Sequence, residues 1–390
     1  MALAQNAKKM SAKRQVYVIL GAERQYHREV WAGIARYARV HGGWLFRGEP
    51  TLLGAGGPLT AGPRPDGVIA MVRTAGQLDS LRRLGAPLVS VSIALPDEDI
   101  HRVVSDEAAM ARAAVEHFRQ RGFEHFAFCE LDNLSHLRGR HFAEALGQAG
   151  FSCQVFRVGY SRRRHWTDGR DRAALGAWLA SLPRPVAILA HNDIRARHLV
   201  ETCAAIGLSV PDDVAVLGID NEPPFCEVCQ PPLSTIVPNA ERVGFEAGAL
   251  LEKLIAGEPA KRCVLIPPQG IVVRQSTDVT AVRDPLVANA VQFIREHACE
   301  GIDVADVLTH AVVSRTWLDQ RFRQFLGRTP HEEILRVRLN RACQLLQASD
   351  LALDVVAQRS GFRHAAYLVE VFAREIGQTP GQYRHGKESK

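Results

Sequence analysis

Long apolar runs are missing from this sequence. None of its 390 residues lies in a stretch approaching the ~18 consecutive apolar residues of a membrane helix. The segment Met1 to Arg14 carries Lys8, Lys9, Lys13 and Arg14, with no apolar run behind them to resemble a signal-peptide core. A cytoplasmic protein with no membrane association is expected, and a transport binding protein is disfavoured. Cysteine is scarce and scattered: eight residues spread through expected strands and helices, read in the cytosol as free thiols rather than disulfides. Cys226-Glu227-Val228-Cys229 has a zinc-like spacing, but no second pair completes four ligands. Two packed thiols are the main reading there and a redox role the lesser one. No metal and no cofactor are expected. A phosphate loop and a Ser/His/Asp order are absent as well, so no catalytic residue is assigned. Charge of one sign is also modest. The net charge of +6 is a mild hint of an anionic partner. With 46% apolar and 23% charged residues the chain reads as globular, and 390 residues suffice for two or three domains.

What is present is a repeated pattern near the C-terminus. From Leu353 to Pro380 the residues read as two short helices with a tight turn at Gly361, where positive φ carries no steric cost for glycine. Val355, Val356 and Ala357 give the first helix an apolar face. Leu368, Val371, Phe372 and Ile376 recur on one face of the second. Gly377 is a C-cap candidate, and Pro380 forbids continuation. Arg363, His364, Ala366, Val369 and Glu370 are left facing outward, as in a helix-turn-helix whose second helix enters a DNA major groove. Fifty positions earlier, Gly327-Arg328-Thr329-Pro330 matches Gly377-Gln378-Thr379-Pro380, and Leu318, Phe322 and Leu326 fall on Leu368, Phe372 and Ile376. An internal repeat is a stronger signal than either copy. The helix between the copies, about Leu335 to Gln347, carries Leu335, Leu339, Ala342, Leu345 and Leu346 to bury between them. Fourteen Lys/Arg against thirteen Asp/Glu from Asp284 onward make this part barely basic, so the placement of its arginines matters more than their sum.

Ser314 to Phe322, and Gly361-Phe362 through Gly377-Gln378-Thr379-Pro380-Gly381-Gln382-Tyr383-Arg384, resemble the AraC/XylS-type DNA-binding domain. That resemblance implies two helix-turn-helix units joined by a linker helix, in successive major grooves about one turn or ~34 Å apart. The first unit would use Arg315, Thr316, Trp317, Gln320 and Arg321, and the second Arg363, His364, Ala366 and Glu370. Neither Ala311 nor Val312, flanking the first turn, is glycine.

The rest of the chain alternates strands and helices. The apolar run Gln15 to Leu20 reads as a buried parallel strand. A first series runs to the helix Glu107–Gln120, and a second begins at the strand Phe126-Ala127-Phe128 and ends with the helix Ala240–Ile255. Such alternation argues parallel sheets with helices on both faces, and two series argue two lobes. His191-Asn192-Asp193 through Arg197, Gly207 through Glu222, and Pro231-Pro232-Leu233-Ser234-Thr235 resemble the LacI/GalR-type, periplasmic-binding-protein-like sugar sensor. In that type the DNA-binding helices precede the sensor; here AraC-type helices follow it. The combination resembles xylose operon regulators. The expected fold is therefore an α/β two-lobed sensor over 14–275, a linker over 276–284 and an all-α double helix-turn-helix domain over 285–386. The resemblance implies D-xylose as effector, operator DNA as partner, a homodimer, and contact with RNA polymerase if the protein activates.

Ligands in open parallel sheets bind beyond the carboxyl ends of strands. Arg28, Asp106, Asn192, Asp193, Asp220 and Asn221 stand at such ends. A carboxylate accepts two hydroxyls and an arginine fork donates two bonds, which suits Asp193 with Arg195 or Arg197, and Asp220 with Asn221. Asp106 and Asp193 also fit as helix N-caps. The resemblance adds Arg138 and Arg140, on a helix start that closes the cleft in the family, and Trp166 as an aromatic cover for the sugar ring, weighed equally against packing. Tyr26, Trp31 and Phe225 read as packing or rim residues. Paired carboxylates Asp193 and Asp220 also raise a glycosidase reading. Adjacent arginines disfavour it, because they hold a carboxylate ionised.

Overall fold

A computed structural model describes residues 14–21, 23–47, 64–96, 98–130, 136–157, 169–278, 284–348 and 351–384. They form two compact units, Met1–Val279 and Thr280–Lys390. Trp166, most of the Gly/Pro-rich stretch Thr51 to Asp66 and most of the expected linker lie outside the described residues.

The first lobe of the sensor begins with β1 (Arg14–Ile19), α1 (Gln25–His41), β2 (Trp44–Arg47), β3 (Gly67–Ala70), α2 (Ala75–Arg82), β4 (Leu88–Ser90) and β5 (His101–Ser105). The chain then crosses over. The second lobe takes α3 (Glu107–Arg119), β6 (His125–Cys129), α4 (Leu137–Gln148), β7 (Cys153–Phe156), α5 (Gly169–Ser181), β8 (Val186–Ala190), α6 (Asp193–Ala205), β9 (Val214–Ile219), the single turn α7 (Pro223–Cys226) and β10 (Ser234–Val237). A second crossing returns α8 (Ala240–Ile255) and β11 (Cys263–Ile266) to the first lobe. A third places β12 (Gly270–Val272) and a 3-10 turn, Gln275–Thr277, in the second. One sheet runs β11-β5-β4-β3-β1-β2, all parallel. The other runs β12-β10-β9-β8-β6-β7, parallel except for β12 against β10.

The lobes therefore do not follow the two series in the sequence. Helix α3, expected with the first series, packs in the second lobe, where Phe118 meets Phe123 edge-on at 6.1 Å and Phe142 at 6.5 Å. Helix α8, expected with the second series, joins the first lobe. Ala240, Val243, Ala247, Leu250 and Leu251 share a core with Val16, Val18, Val30 and Ile34. Gly33 and Gly244 make this possible: a Cβ on Gly33 would stand 1.9 Å from Glu241 O, and one on Gly244 2.0 Å from Val30 O. Strands β11 and β12 were not foreseen. They are short edge strands of four and three residues, and Cys263 and Leu265 of β11 are exposed.

Ser276 and Thr277, expected to open the linker, are instead buried in the sensor. Ser276 Oγ donates to Val216 O (2.6 Å) and accepts from Ser234 N (2.8 Å); Thr277 Oγ1 lies 2.8 Å from His117 Nε2. Arg274 joins the same seam, with Nη1 donating to Leu233 O (3.0 Å) and Nη2 to Asn221 Oδ1 (3.1 Å).

The C-terminal unit contains α9 (Pro285–His297), α10 (Val304–Ala311), α11 (Arg315–Leu326), α12 (Pro330–Ala348), α13 (Leu353–Arg359), α14 (Ala365–Ile376) and α15 (Pro380–Arg384). Helix α12 serves two cores. Ile334 packs with Leu318, Phe322 and Leu326 of the first copy, whereas Leu335, Leu339, Ala342 and Leu346 pack with Leu368, Val371 and Phe372 of the second. Glu333, at its start, is fully buried between Arg328 and Arg336. Burial would raise its carboxyl, but the two guanidiniums prevail and hold it at about 2.

Candidate functional site

A cavity of about 110 Å³ opens where the first crossing meets the ends of both sheets. The first lobe contributes Arg24, Tyr26, His27 and Arg73; Ser105 and Glu107 flank the crossing; the second lobe contributes Arg138, His191, Asn192 and Asp220. Met71, Val91, Ile93 and Ala94 add an apolar wall. This is the carboxyl-end position at which open parallel sheets take ligands.

Asp220 follows β9 with φ 115, a conformation that turns the chain abruptly out of the strand. Its N–H donates to Ile236 O at 3.1 Å. Burial pushes its carboxyl up to about 6, against the opposing charges of Arg138 and Arg24. Arg138 reaches in from the first turn of α4. Its Nε and Nη2 donate to the two oxygens of Glu107 at 2.6 and 2.9 Å, a bidentate pair, and Nη1 donates to His191 O. Burial acts to lower the Arg138 guanidinium, but the Glu107 carboxylate overrides it and the net shift is upward. Asn192 lines the cavity and caps α6, its Oδ1 accepting from Arg195 N at 3.0 Å.

Other expected residues lie elsewhere. Asp193 is buried beneath the site rather than in its wall. It accepts from Thr235 Oγ1 (2.6 Å), Glu222 N (2.8 Å) and Cys226 Sγ (3.4 Å) and fixes the turn after β9. Burial and the Asp220 charge push its carboxyl up to about 7. Asp106 is an N-cap, accepting from Ala109 N at 2.8 Å, and faces a separate hollow beside β11. Asn221 (φ 52) turns to Arg274. Arg195 lies buried over the Phe156 ring at 5.6 Å. Arg140 is exposed and pairs with Glu144 at 3.5 Å. Arg28 stands outside the cavity. Its Nη2 meets Glu222 Oε1 at 3.2 Å, and Gln25 N donates to the same oxygen at 3.1 Å, which ties the first lobe to the second.

Sequence reasoning missed Glu107, which lies one residue beyond Asp106. The two acids look alike in sequence, and only the helix cap separates their directions. Tyr26, read as packing or rim, lines the cavity, with Oη 3.4 Å from Ser105 Oγ. Trp31 does pack, in the first-lobe core, and Phe225 lies under the Arg197 guanidinium at 5.3 Å. Cys226 and Cys229 are buried thiols of the second-lobe core.

In the C-terminal unit each copy presents the start of its second helix outward. Ser314 caps α11 through Trp317 N (3.3 Å), and Arg315, Thr316 and Gln320 are exposed. Trp317 and Arg321 fold back instead. Trp317 packs on the core, while the Arg321 guanidinium lies 5.7 Å from its ring and 3.8 Å from Asp284. In the second copy Arg363, His364, Ala366 and Glu370 are exposed along the start of α14. Ile376, expected inside, is exposed in the last turn.

A family model described as a periplasmic binding protein-like domain matches residues 115–277, and one described as a helix-turn-helix domain matches 308–386. The xylose operon regulatory protein of Haemophilus influenzae is 30% identical over 329 residues, which cover 82% of this chain and 84% of that protein. The xylose operon regulatory protein of Escherichia coli is 31% identical over 330 residues, covering 82% and 83%. A solved structure of a xylose-binding transcription activator aligns with a TM-score of 0.75 at 28% identity, covering 95% of this chain and 98% of that one.

Proposed function

The chain belongs to the family of xylose operon regulatory proteins, and from that membership we propose that it is a transcription regulator whose sensor cavity binds D-xylose and whose C-terminal unit binds operator DNA. The observation that carries this reading is the set of groups converging on one cavity. Asp220 accepts hydroxyls, Arg24 and Arg73 donate, and Tyr26 and the apolar wall cover the ring's less polar face. The carboxylate of Glu107 is already spent on Arg138, so this pair shapes the wall and keeps its charge balanced.

In this reading a cytoplasmic homodimer offers two double helix-turn-helix units to two half-sites. Arg315, Thr316 and Gln320 read bases in one groove, and Arg363, His364, Ala366 and Glu370 in the next. As an activator it would also contact RNA polymerase. Sugar shifts the equilibrium only by binding closed and open lobes with different affinity. A catalytic pairing of Asp193 with Asp220 is not supported by the geometry. Asp193 is sealed under the cavity with Thr235, Glu222 N and Cys226 on its oxygens, so it has no face toward a glycosidic bond.

The test is a thermal-shift scan of the purified protein against xylose, arabinose, ribose, glucose and several polyols. A ligand at one hundred times its dissociation constant stabilises the folded state by ~2.7 kcal/mol. A shift with D-xylose that Asp220→Ala abolishes supports the reading. A shift with another sugar alone keeps the regulator and replaces the effector. Arg315→Ala should weaken operator binding in a mobility-shift titration and leave sugar binding intact; unchanged operator affinity rejects the assigned reading helix.

A further inference from the structure

A buried, uncharged polar ring in the cavity wall makes no hydrogen bond among the described residues. His191 directly follows β8, lines the cavity and is 3% exposed. Its main chain is in use: the N–H donates to Cys129 O at 2.9 Å, and the carbonyl accepts from Arg138 Nη1. Among the described residues its ring makes no hydrogen bond, and Nδ1 is a buried atom without a partner. The ring's neighbour is Phe128, edge-on at 6.4 Å. Several of the other polar groups in the wall are occupied. Arg138 holds Glu107, Asn192 Oδ1 caps α6, and Tyr26 Oη lies beside Ser105 Oγ. Burial first, and the Arg138 charge second, hold the imidazole well below the ordinary histidine range, so it is neutral.

A neutral imidazole offers one N–H donor and one acceptor nitrogen. A carboxylate only accepts and a guanidinium only donates, so among these groups the imidazole can pair with a hydroxyl in either direction. A buried polar group with no partner costs free energy that a ligand hydroxyl would return on binding. We propose that His191 is a specificity residue of the effector site, whose imidazole pairs with one hydroxyl of the bound pentose and so discriminates against sugars that lack it. This rests on the sugar-binding reading of the cavity. A site built to hydrogen-bond a hydroxyl rejects the analogue without it far more strongly than an apolar pocket rejects an extra group.

The experiment is calorimetric titration of the full chain with D-xylose and its 2-, 3- and 4-deoxy analogues, for wild type, His191→Phe and His191→Gln. Phenylalanine keeps the ring packed on Phe128 and removes both polar atoms; glutamine restores a donor and an acceptor. For His191→Phe the expected loss with D-xylose is about tenfold to a hundredfold. One deoxy analogue should bind wild type and His191→Phe alike, and His191→Gln should recover part of the loss. The inference is overturned if His191→Phe, folded by its circular dichroism, binds D-xylose as wild type does. It is also overturned if every deoxy analogue keeps its wild-type ratio to D-xylose in the variant. If His191→Phe does not fold, His191→Gln decides: D-xylose affinity and analogue ratios both unchanged from wild type overturn the inference, and a selective change for one analogue supports it. Asp220→Ala is measured alongside. If it abolishes binding while His191→Phe does not affect it, only the role of His191 falls. If wild type binds no pentose, the sugar reading falls and this inference with it.

Discussion

Asp220 and Asp193 stand after neighbouring parallel strands, and the sequence places both at the carboxyl edge of a sheet. What it cannot supply is direction. The φ of 115 at Asp220 turns that carboxylate into the cavity, while the start of α6 draws Asp193 under it. The same limit separated Asp106 from Glu107. Because the Asp220 carboxyl titrates at about 6, sugar affinity should weaken as pH falls below that value and the acceptor is protonated. Calorimetric titrations between pH 7.5 and 5 should show this slope, and Asp220→Asn should bind weakly at every pH. Stability carries a separate signature. Asp220 and Asp193 keep protons that the unfolded chain releases near ~4, so their contribution falls as pH rises from there to about 7. His27 (about 4), His117 (about 3) and His198 (about 3) act in the opposite sense. Their burial, aided by nearby arginines, refuses protons that unfolded histidines accept near ~6.5, so stability is lost as pH falls below that. Three such histidines outweigh two carboxyls, and urea midpoints should drop between pH 7 and 5.

At the scale of elements, the fifty-residue repeat was legible because each copy ends alike: Gly327 and Gly377 both take left-handed conformations, with φ 68 and 77. The turns inside the copies differ. The second bends at Gly361, φ 77, whose missing Cβ would stand 2.5 Å from Ala298 O and 2.8 Å from Cys299 Cα. The first bends at Val312, φ 54, a β-branched residue in the left-handed region. That conformation costs a non-glycine residue ~1–2 kcal/mol, and Val312 is 87% exposed, so packing does not repay it locally. Val312→Asn should therefore raise the melting temperature of the C-terminal transition. Gly361→Ala should lower it by more than the conformational cost alone, because the clash adds to it. Differential scanning calorimetry of both variants checks the pair; equal and opposite shifts would mean the close approach to Ala298 contributes nothing. Ile376 shows the opposite limit of periodicity: the spacing put it on the buried face, yet the final turn extends past its core.

At the scale of the molecule, local alternation predicted parallel sheets correctly but could not assign helices to lobes, since α3 and α8 each pack across a crossing. Glu222 depends on that topology. It is a buried carboxylate of the second lobe that receives Arg28 Nη2 and Gln25 N from the first. Removing it should disfavour the arrangement in which the lobes meet. Glu222→Ala is expected to weaken sugar binding about three- to tenfold, the size of a ~1 kcal/mol shift in that equilibrium. Unchanged affinity would make the contact incidental. The returning helix α8 has a consequence for synthesis. The chain leaves the ribosome from its N-terminus, yet the core around Val16, Val18, Val30 and Ile34 is closed by Ala247, Leu250 and Leu251. The first lobe to emerge thus exposes an unfinished apolar face until α8 and β11, which follow β10 of its neighbour, have been translated. Neither lobe is complete until the returning segments have been made, and nascent chains stalled before Ala240 should be the ones that engage chaperones.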